Sequence, residues 1–160
     1  MGKNEFRFNM SLRVRWAECD AQGIVFNGAY QNYLEVTQAE YYRNMDIRLY
    51  GETSRKHFDT ATVKITLEFI APAKIDEMLR VYCRVDSIGN TSMVVKYEIY
   101  RDGTDELVHR AEVVQVNYDA DSESARRVQD GLRTMIETYE SSGVVMPLSD
   151  FPDLRGLMVS

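Results

Sequence analysis

Residues 16–35 read WAECDAQGIVFNGAYQNYLE, and they separate two different hydrophobic periodicities. Up to Trp16, apolar side chains alternate with polar ones, which is the period of a half-buried strand. From Tyr30 onward, apolar and aromatic side chains recur every three to four residues, as on one face of a helix. These helical positions are Tyr30, Tyr33, Leu34, Thr37, Tyr41 and Met45. The pattern predicts a long helix from about Asn27 to Asn44, with Asn27 as its N-cap.

Alternation returns in four further segments, which predicts four more strands. The segments are 62–69, 79–86, 93–99 and about 106–118. The short turn sequences Ala71-Pro72, Gly89-Asn90 and Asp102-Gly103 separate them. A second helical pattern covers residues 128–139. Residues 141–160 are expected to form a poorly patterned tail outside a core of about residues 8–140.

The order of these elements selects the fold class. Consecutive strands joined by short turns lack the helical crossover that parallel pairing requires, so a doubly wound parallel sheet is excluded. We therefore expect one α+β domain over residues 1–160, with an antiparallel sheet of five to six strands curled around the long helix. One helix covers only part of such a sheet, so an open edge is expected to attract a partner subunit.

Composition and charge limit the class of function. The 160 residues carry 19 Lys plus Arg against 25 Asp plus Glu, and a net charge of −6 argues against a general nucleic-acid binder. Two cysteines, Cys19 and Cys83, are too few for a disulfide framework and lack zinc-ligand spacing. The sequence contains neither a signal-peptide h-region nor about eighteen consecutive apolar residues, so a cytoplasmic location is expected.

The stretch from Trp16 to Glu35 resembles the signature of the 4-hydroxybenzoyl-CoA thioesterase-like family of the hotdog-fold superfamily. In that signature an acidic residue, two further positions and a glycine precede an apolar pair, as Asp20, Gly23 and Ile24-Val25 do here. The resemblance extends over about residues 8–140. It implies the hotdog fold, in which a sheet wraps a central helix, and an acyl-CoA thioesterase activity.

The resemblance also implies the catalytic residues. Asp20 corresponds to the catalytic carboxylate of the family, and Gly23 is the turn that lets the backbone approach a ligand. The backbone N–H at the start of the helix, at Asn27 or Gly28, would polarise the thioester carbonyl. A carboxylate can act as nucleophile or general base, and a helix N-terminus stabilises a developing oxyanion, so the chemistry agrees with both roles. Direct attack by Asp20 and activation of water remain alternatives.

Further residues are candidate substrate contacts. Glu35 matches an acidic position of the family and would face the acyl end of the pocket. The Tyr30 hydroxyl would line an acyl tunnel, unless this tyrosine belongs to the core. Lys74, Arg80 and Arg84 form a basic patch that would hold the phosphates of CoA, unless it is only a solvated face.

Other side chains fit structural roles better than chemical ones. Cys19 has no histidine near it in sequence and is expected to pack as a small hydrophobe. His57 and His109 lack metal-ligand spacing, so they are interpreted as solvated or satisfied structural histidines and no metal site is predicted. Asn27 stands where many relatives carry His or Tyr, so a helper side chain is absent at that point.

These observations predict an acyl-CoA thioesterase for a small or aromatic acyl group, with no cofactor beyond the coenzyme A of its substrate. The resemblance implies a homodimer or a homotetramer, and neither nucleic acid nor membrane is expected as a partner. Two alternatives stay open. One is a thioesterase for acyl carrier protein, which the acidic charge balance disfavours. The other is a non-catalytic acyl-CoA sensor, which would retain the pocket without needing Asp20.

Overall fold

The computed structural model describes residues 2–157. The strands are β1 (Phe8–Arg13), β2 (Thr60–Phe69), β3 (Met78–Ile88), β4 (Ser92–Arg101), β5 (Leu107–Asp119) and β6 (Ser124–Ala125). The α-helices are α1 (Ala29–Arg43), α2 (Glu52–Arg55) and α3 (Asp130–Ser142). The strands and long helices predicted from periodicity are all present, and the short α2 and β6 are additions. Within the described range, no helix is both long enough and apolar enough to span a membrane.

The strands form one antiparallel sheet in the order β1-β3-β4-β5-β2, and β6 pairs with β5. Burial alternates along β3 and shows which face of the sheet meets α1. The buried side chains of β3 face α1, and the side chains between them are only half-buried or exposed. The buried residues of β3 are Leu79, Val81, Cys83 and Val85. This arrangement confirms the predicted α+β class and the hotdog fold, a curled antiparallel sheet around a long helix.

The N-cap of helix α1 lies one residue later than predicted, and the helix itself spans Ala29–Arg43. Gly28 is the N-cap residue, and Asn27 lies in the turn before it. The predicted stripe of this helix is buried in full, and it consists of Tyr30, Tyr33, Leu34, Thr37, Tyr41 and Met45. Tyr41 packs edge-on against Phe8 and Tyr139, whose ring centroids each lie 5.8 Å from its own. Tyr41 therefore packs at the junction of α1, β1 and α3.

The C-terminal segment belongs to the core, which corrects the expectation of a tail. After α3, two 3₁₀ turns follow at Leu148–Asp150 and Pro152–Leu157. Their leucines lie in the same buried cluster as α1 and the sheet, namely Leu148, Leu154 and Leu157. Spacings of six and three residues match neither the strand period nor a sustained helix period, so periodicity could not detect them. Residues 158–160 of the expected tail lie outside the described residues.

Strand β2 forms one edge of the sheet and, within the described chain, pairs with β5 alone. Burial along it does not alternate, and most of its side chains are exposed. Val63 is 61% exposed, and Ile65 and Phe69 are exposed as well. An open edge with exposed apolar side chains is typical of a surface that pairs with another chain.

Candidate active site

Asp20 lies at the corner of a tight turn between β1 and α1. The N–H of Gln22 donates to Asp20 Oδ1 at 2.8 Å, and the N–H of Gly23 donates to the Asp20 carbonyl at 3.0 Å. Gly23 has a φ of +76°, a conformation that favours glycine, which explains why this residue type is needed there. The turn therefore holds an exposed carboxylate in a defined direction, and one of its oxygens accepts a backbone hydrogen bond.

Short antiparallel contacts fix this turn to the segment before β3. Cys19 pairs with Val25 across the loop, and Ile24 pairs with Lys74. The N–H of Val25 also donates to the carbonyl of Ala73 at 2.9 Å. The exposed Lys74 is thereby brought beside the Asp20 turn, although 54 residues separate the two in sequence.

Glu18, which was not among the candidate residues from sequence, holds the same loop to the start of α1. Its carboxylate is 6% exposed and accepts hydrogen bonds from the Tyr33 hydroxyl at 2.5 Å, the Arg15 N–H at 2.9 Å and Arg15 Nε at 2.6 Å. Its carbonyl accepts the N–H of Phe26 at 3.0 Å. Burial acts to raise the pKa of Glu18, but these hydrogen bonds and the Arg15 charge outweigh it and hold the pKa below its usual value. Glu18 therefore stays ionised and ties the loop to α1.

The start of α1 presents backbone donors at the other end of this loop. The N–H of Ala29 bonds to the Phe26 carbonyl, whereas no acceptor within residues 2–157 lies opposite the N–H groups of Asn27 and Gly28. A Cβ on Gly28 would lie 3.1 Å from the Phe26 ring, so glycine keeps this surface open. An exposed carboxylate and unpaired N–H donors thus occur on one rigid loop, the combination that acyl transfer needs.

Tyr30 is buried rather than positioned along an open tunnel. Its ring stacks on His109 at a centroid distance of 4.2 Å and an interplanar angle of 10°. Its hydroxyl lies beside the backbone of Ala73, and burial raises its pKa. A substrate contact through Tyr30 stays a prediction, and the position of its ring favours the core interpretation.

His109 corrects the expectation of a solvated or satisfied histidine. The side chain is 0% exposed, and neither ring nitrogen has a hydrogen-bond partner. Burial lowers its pKa to about 4, so the imidazole is neutral at physiological pH and packs as an aromatic ring between Tyr30 and Phe69. Within the described chain no cluster of three His, Cys, Asp or Glu side chains has the geometry to hold a metal ion.

Arg80 and Arg84 lie on the sheet face opposite α1, because they alternate with the buried residues of β3. Arg80 pairs with Asp102 at 2.8 Å, and Arg84 lies 3.4 Å from Asp86. The structure therefore places these two arginines apart from Lys74 and the Asp20 loop of the same chain. Their role in holding phosphates stays a prediction, and of the three bases Lys74 alone adjoins the loop.

Glu35 lies on the exposed side of α1 and lines a groove of about 340 Å³ between α1, β2 and β5. Gln38 and Gln115 lie in the same groove and are hydrogen-bonded to each other. Sequence analysis missed this pair, although a polar residue at position 38 within a buried helical stripe was a visible signal. A role for Glu35 at the acyl end stays a prediction.

Cys19 packs against the core, as expected, and is half-buried. Its thiol lies 3.7 Å from the Arg15 carbonyl. Burial, together with the negative charges of Glu18 and Asp20, raises the pKa of this thiol. The protonated form is therefore favoured, which disfavours Cys19 as a nucleophile.

Comparison with known proteins identifies the family of this chain. The acyl-CoA thioester hydrolase YbgC of Escherichia coli is 28% identical over 116 residues, which cover 72% of this chain and 85% of that protein. An aspartate-to-asparagine variant of 4-hydroxybenzoyl-CoA thioesterase, solved with 4-hydroxybenzoyl-CoA, superposes with a TM-score of 0.74 at 21% identity over 81% of this chain and 97% of that one. A 1,4-dihydroxy-2-naphthoyl-CoA thioesterase from Synechocystis gives a TM-score of 0.72 at 19% identity, covering 79% and 93%. The family model of the thioesterase superfamily matches residues 22–108, more than half of the chain, so this protein belongs to the thioesterase superfamily and is a thioesterase of the hotdog fold.

Proposed function

We propose that this protein hydrolyses acyl-CoA thioesters at the loop between Asp20 and Gly28. The observation that carries the proposal is the exposed Asp20 carboxylate, fixed in a glycine turn on the same loop as the unpaired N–H groups of Asn27 and Gly28. The relatives are named as enzymes that act on acyl-CoA esters, and these names support this substrate class.

The proposed reaction uses the loop in two ways. The thioester carbonyl oxygen accepts a hydrogen bond from the N–H of Asn27 or Gly28, which stabilises the negative charge that develops on it. Asp20 then follows one of two routes. It attacks the carbonyl carbon, CoA leaves as thiolate and takes a proton from solvent, and water hydrolyses the mixed anhydride. Alternatively, it takes a proton from water as that water attacks, and the proton passes to the departing thiolate.

Lys74 is proposed to contact a phosphate of CoA. It is exposed, it adjoins the Asp20 turn through the Ile24 pairing, and it is a cation in a chain of net charge −6. Such a charge acts as a point contact for an anion near the mouth of the site. No cofactor is required by this reaction, and the cytoplasm, which holds acyl-CoA esters, remains its expected location.

Release of free thiol from a panel of acyl-CoA esters tests the proposal. We expect turnover on at least one ester, and Lys74→Ala is expected to raise KM severalfold for acyl-CoA but not for the matching acyl-pantetheine ester, which lacks the nucleotide phosphates. Lys56→Ala is the matched control, because this exposed lysine precedes the start of β2, at the end of the strand opposite to the segment that carries Lys74.

Two outcomes would redirect the assignment. Faster turnover of acyl carrier protein esters than of CoA esters would favour the carrier-protein alternative. Tight binding of acyl-CoA without any thiol release would favour a non-catalytic sensor. A KM for acyl-CoA unchanged by Lys74→Ala would remove Lys74 from the proposal and return attention to Arg80 and Arg84.

We further propose that two chains pair through the open edge of β2. Such a dimer is the smallest assembly that agrees with the homodimer or homotetramer expected from the resemblance. Sedimentation equilibrium should then give a mass at least twice 18.5 kDa. Val63→Lys places a charge among the exposed apolar side chains of this edge and is expected to lower that mass. Val144→Lys, at a valine 55% exposed in the C-terminal segment, should leave it unchanged. A monomeric wild-type protein would contradict the proposal.

A further inference from the structure

The groove beside α1 runs away from the start of the helix. Gln31, Glu35 and Gln38 line it at i, i+4 and i+7, so they share one face of α1. Gly28 and Gln38 are separated by about 15 Å along the helix axis, at a rise of 1.5 Å per residue. Gln31, the first residue of α1 that lines the groove, lies three positions after Gly28, so the groove begins about one helical turn beyond the unpaired N–H groups.

A pair of buried amides lines this groove seven residues along α1 from Gln31. Gln38 Nε2 donates to Gln115 Oε1 at 2.5 Å, and Gln115 Nε2 donates to Gln38 Oε1 at 3.1 Å. Each side chain is only 5% exposed, yet both contribute to the groove lining. Each primary amide has two N–H groups and two acceptor lone pairs, so the reciprocal pair leaves one of each unused on both residues.

Packing alone does not account for this pair. The residues that precede the pair on the same inward faces are apolar, namely Leu34 on α1 and Val113 on β5. Two buried amides at such a position cost desolvation that two apolar side chains of similar size would avoid. Thr62 lies directly across from Gln115 on β2 and adds an exposed hydroxyl to the same end of the groove.

We propose that the Gln38–Gln115 pair binds a neutral hydrogen-bonding group, such as a hydroxyl, at the distal end of the acyl chain. The proposal rests on the proposed function, because it places the thioester carbonyl at the start of α1. Glu35 on the groove wall disfavours a carboxylate at the chain end through like-charge repulsion. The separation of about 15 Å between Gly28 and Gln38 along the helix axis also favours a chain of about ten carbons over the small or aromatic acyl group expected from sequence.

Binding of non-hydrolysable ketone analogues, in which a methylene replaces the thioester sulfur, tests this proposal independently of catalysis. We expect wild-type protein to bind the ω-hydroxydecanoyl analogue about tenfold more tightly than the decanoyl analogue, by isothermal titration calorimetry. The double variant Gln38→Met/Gln115→Met replaces both amides with side chains of similar shape and should lose this preference while retaining its melting temperature within a few degrees. Gln31→Met, at the near end of the groove, is the matched control and should keep the ratio.

Equal affinity of the wild type for the two analogues would overturn the inference, as would an unchanged preference in the folded double variant. Failure of the proposed function is separately visible, because thiol release from acyl-CoA esters is measured on the same preparation. A protein that hydrolyses esters but ignores the terminal hydroxyl therefore refutes only the role of the amide pair.

Discussion

Asp20→Asn is expected to lower kcat by about three orders of magnitude or more, with little change in acyl-CoA affinity. An amide is neither a nucleophile nor a base at neutral pH, so both routes open to Asp20 are blocked. The fold of the loop should survive, because the asparagine side-chain oxygen can still accept the N–H of Gln22. Thiol release measures the loss, and calorimetry with the same ester measures the retained binding.

Asp76→Asn is the matched control for this experiment. Asp76 is an exposed aspartate in the neighbouring turn, and its φ of +70° is a conformation that asparagine tolerates. We expect near-normal turnover from this variant. Turnover by Asp20→Asn equal to that of Asp76→Asn would contradict the assignment of the carboxylate. Label recovered in Asp20 after a single turnover in ¹⁸O-labelled water would identify direct attack, since hydrolysis of the anhydride at its aspartyl carbon places the label there.

Glu18→Gln is expected to produce the second largest effect, a loss of about 2–4 kcal/mol in stability together with a tenfold or greater fall in kcat. The substitution removes the charge that accepts three hydrogen bonds from Tyr33 and Arg15, and it leaves those donors facing an amide. The loop that carries Asp20 and Phe26 then loses its anchor on α1. Thermal unfolding and kcat, measured together, check both parts of this expectation.

Glu40→Gln provides the matched control, because Glu40 and Arg43 form an i,i+3 pair on α1 like the pair of Arg15 and Glu18. Glu40 is much more exposed, so its loss should cost less than about 0.5 kcal/mol. Because the folded pKa of Glu18 is lowered, its stabilisation is present above about pH 4.5 and declines as the pH falls below that value. The stability gap between wild type and Glu18→Gln should therefore narrow in acid. Equal effects of the two substitutions would show that Glu18 has no special role.

The candidate site was only partly predictable. Asp20, Gly23 and Gly28 lie within nine residues, so their spacing and the turn that glycine permits were visible in one short stretch. Glu18 lies in the same stretch, but its role depends on a hydrogen bond from Tyr33, fifteen positions away, and on its burial in a 3₁₀ turn after β1. Neither feature can be predicted from a charged residue in a loop sequence. Proximity in sequence suggests one basic patch of Lys74, Arg80 and Arg84. In the structure, Lys74 pairs with Ile24 beside the Asp20 loop, whereas the two arginines lie on β3.

Side-chain periodicity and turn residues were enough to predict the element order, the antiparallel sheet, the buried stripe of α1 and the turn at Asp20. These features follow from backbone geometry repeated over a few residues, and side-chain periodicity records that geometry directly. Three features became visible in the folded chain alone. Gln38 meets Gln115, 77 positions away, and His109 is buried without a hydrogen-bond partner. The C-terminal leucines join the core, namely Leu148, Leu154 and Leu157. Such contacts depend on which faces the folded chain brings together, and no local pattern encodes the partner of a side chain across that distance.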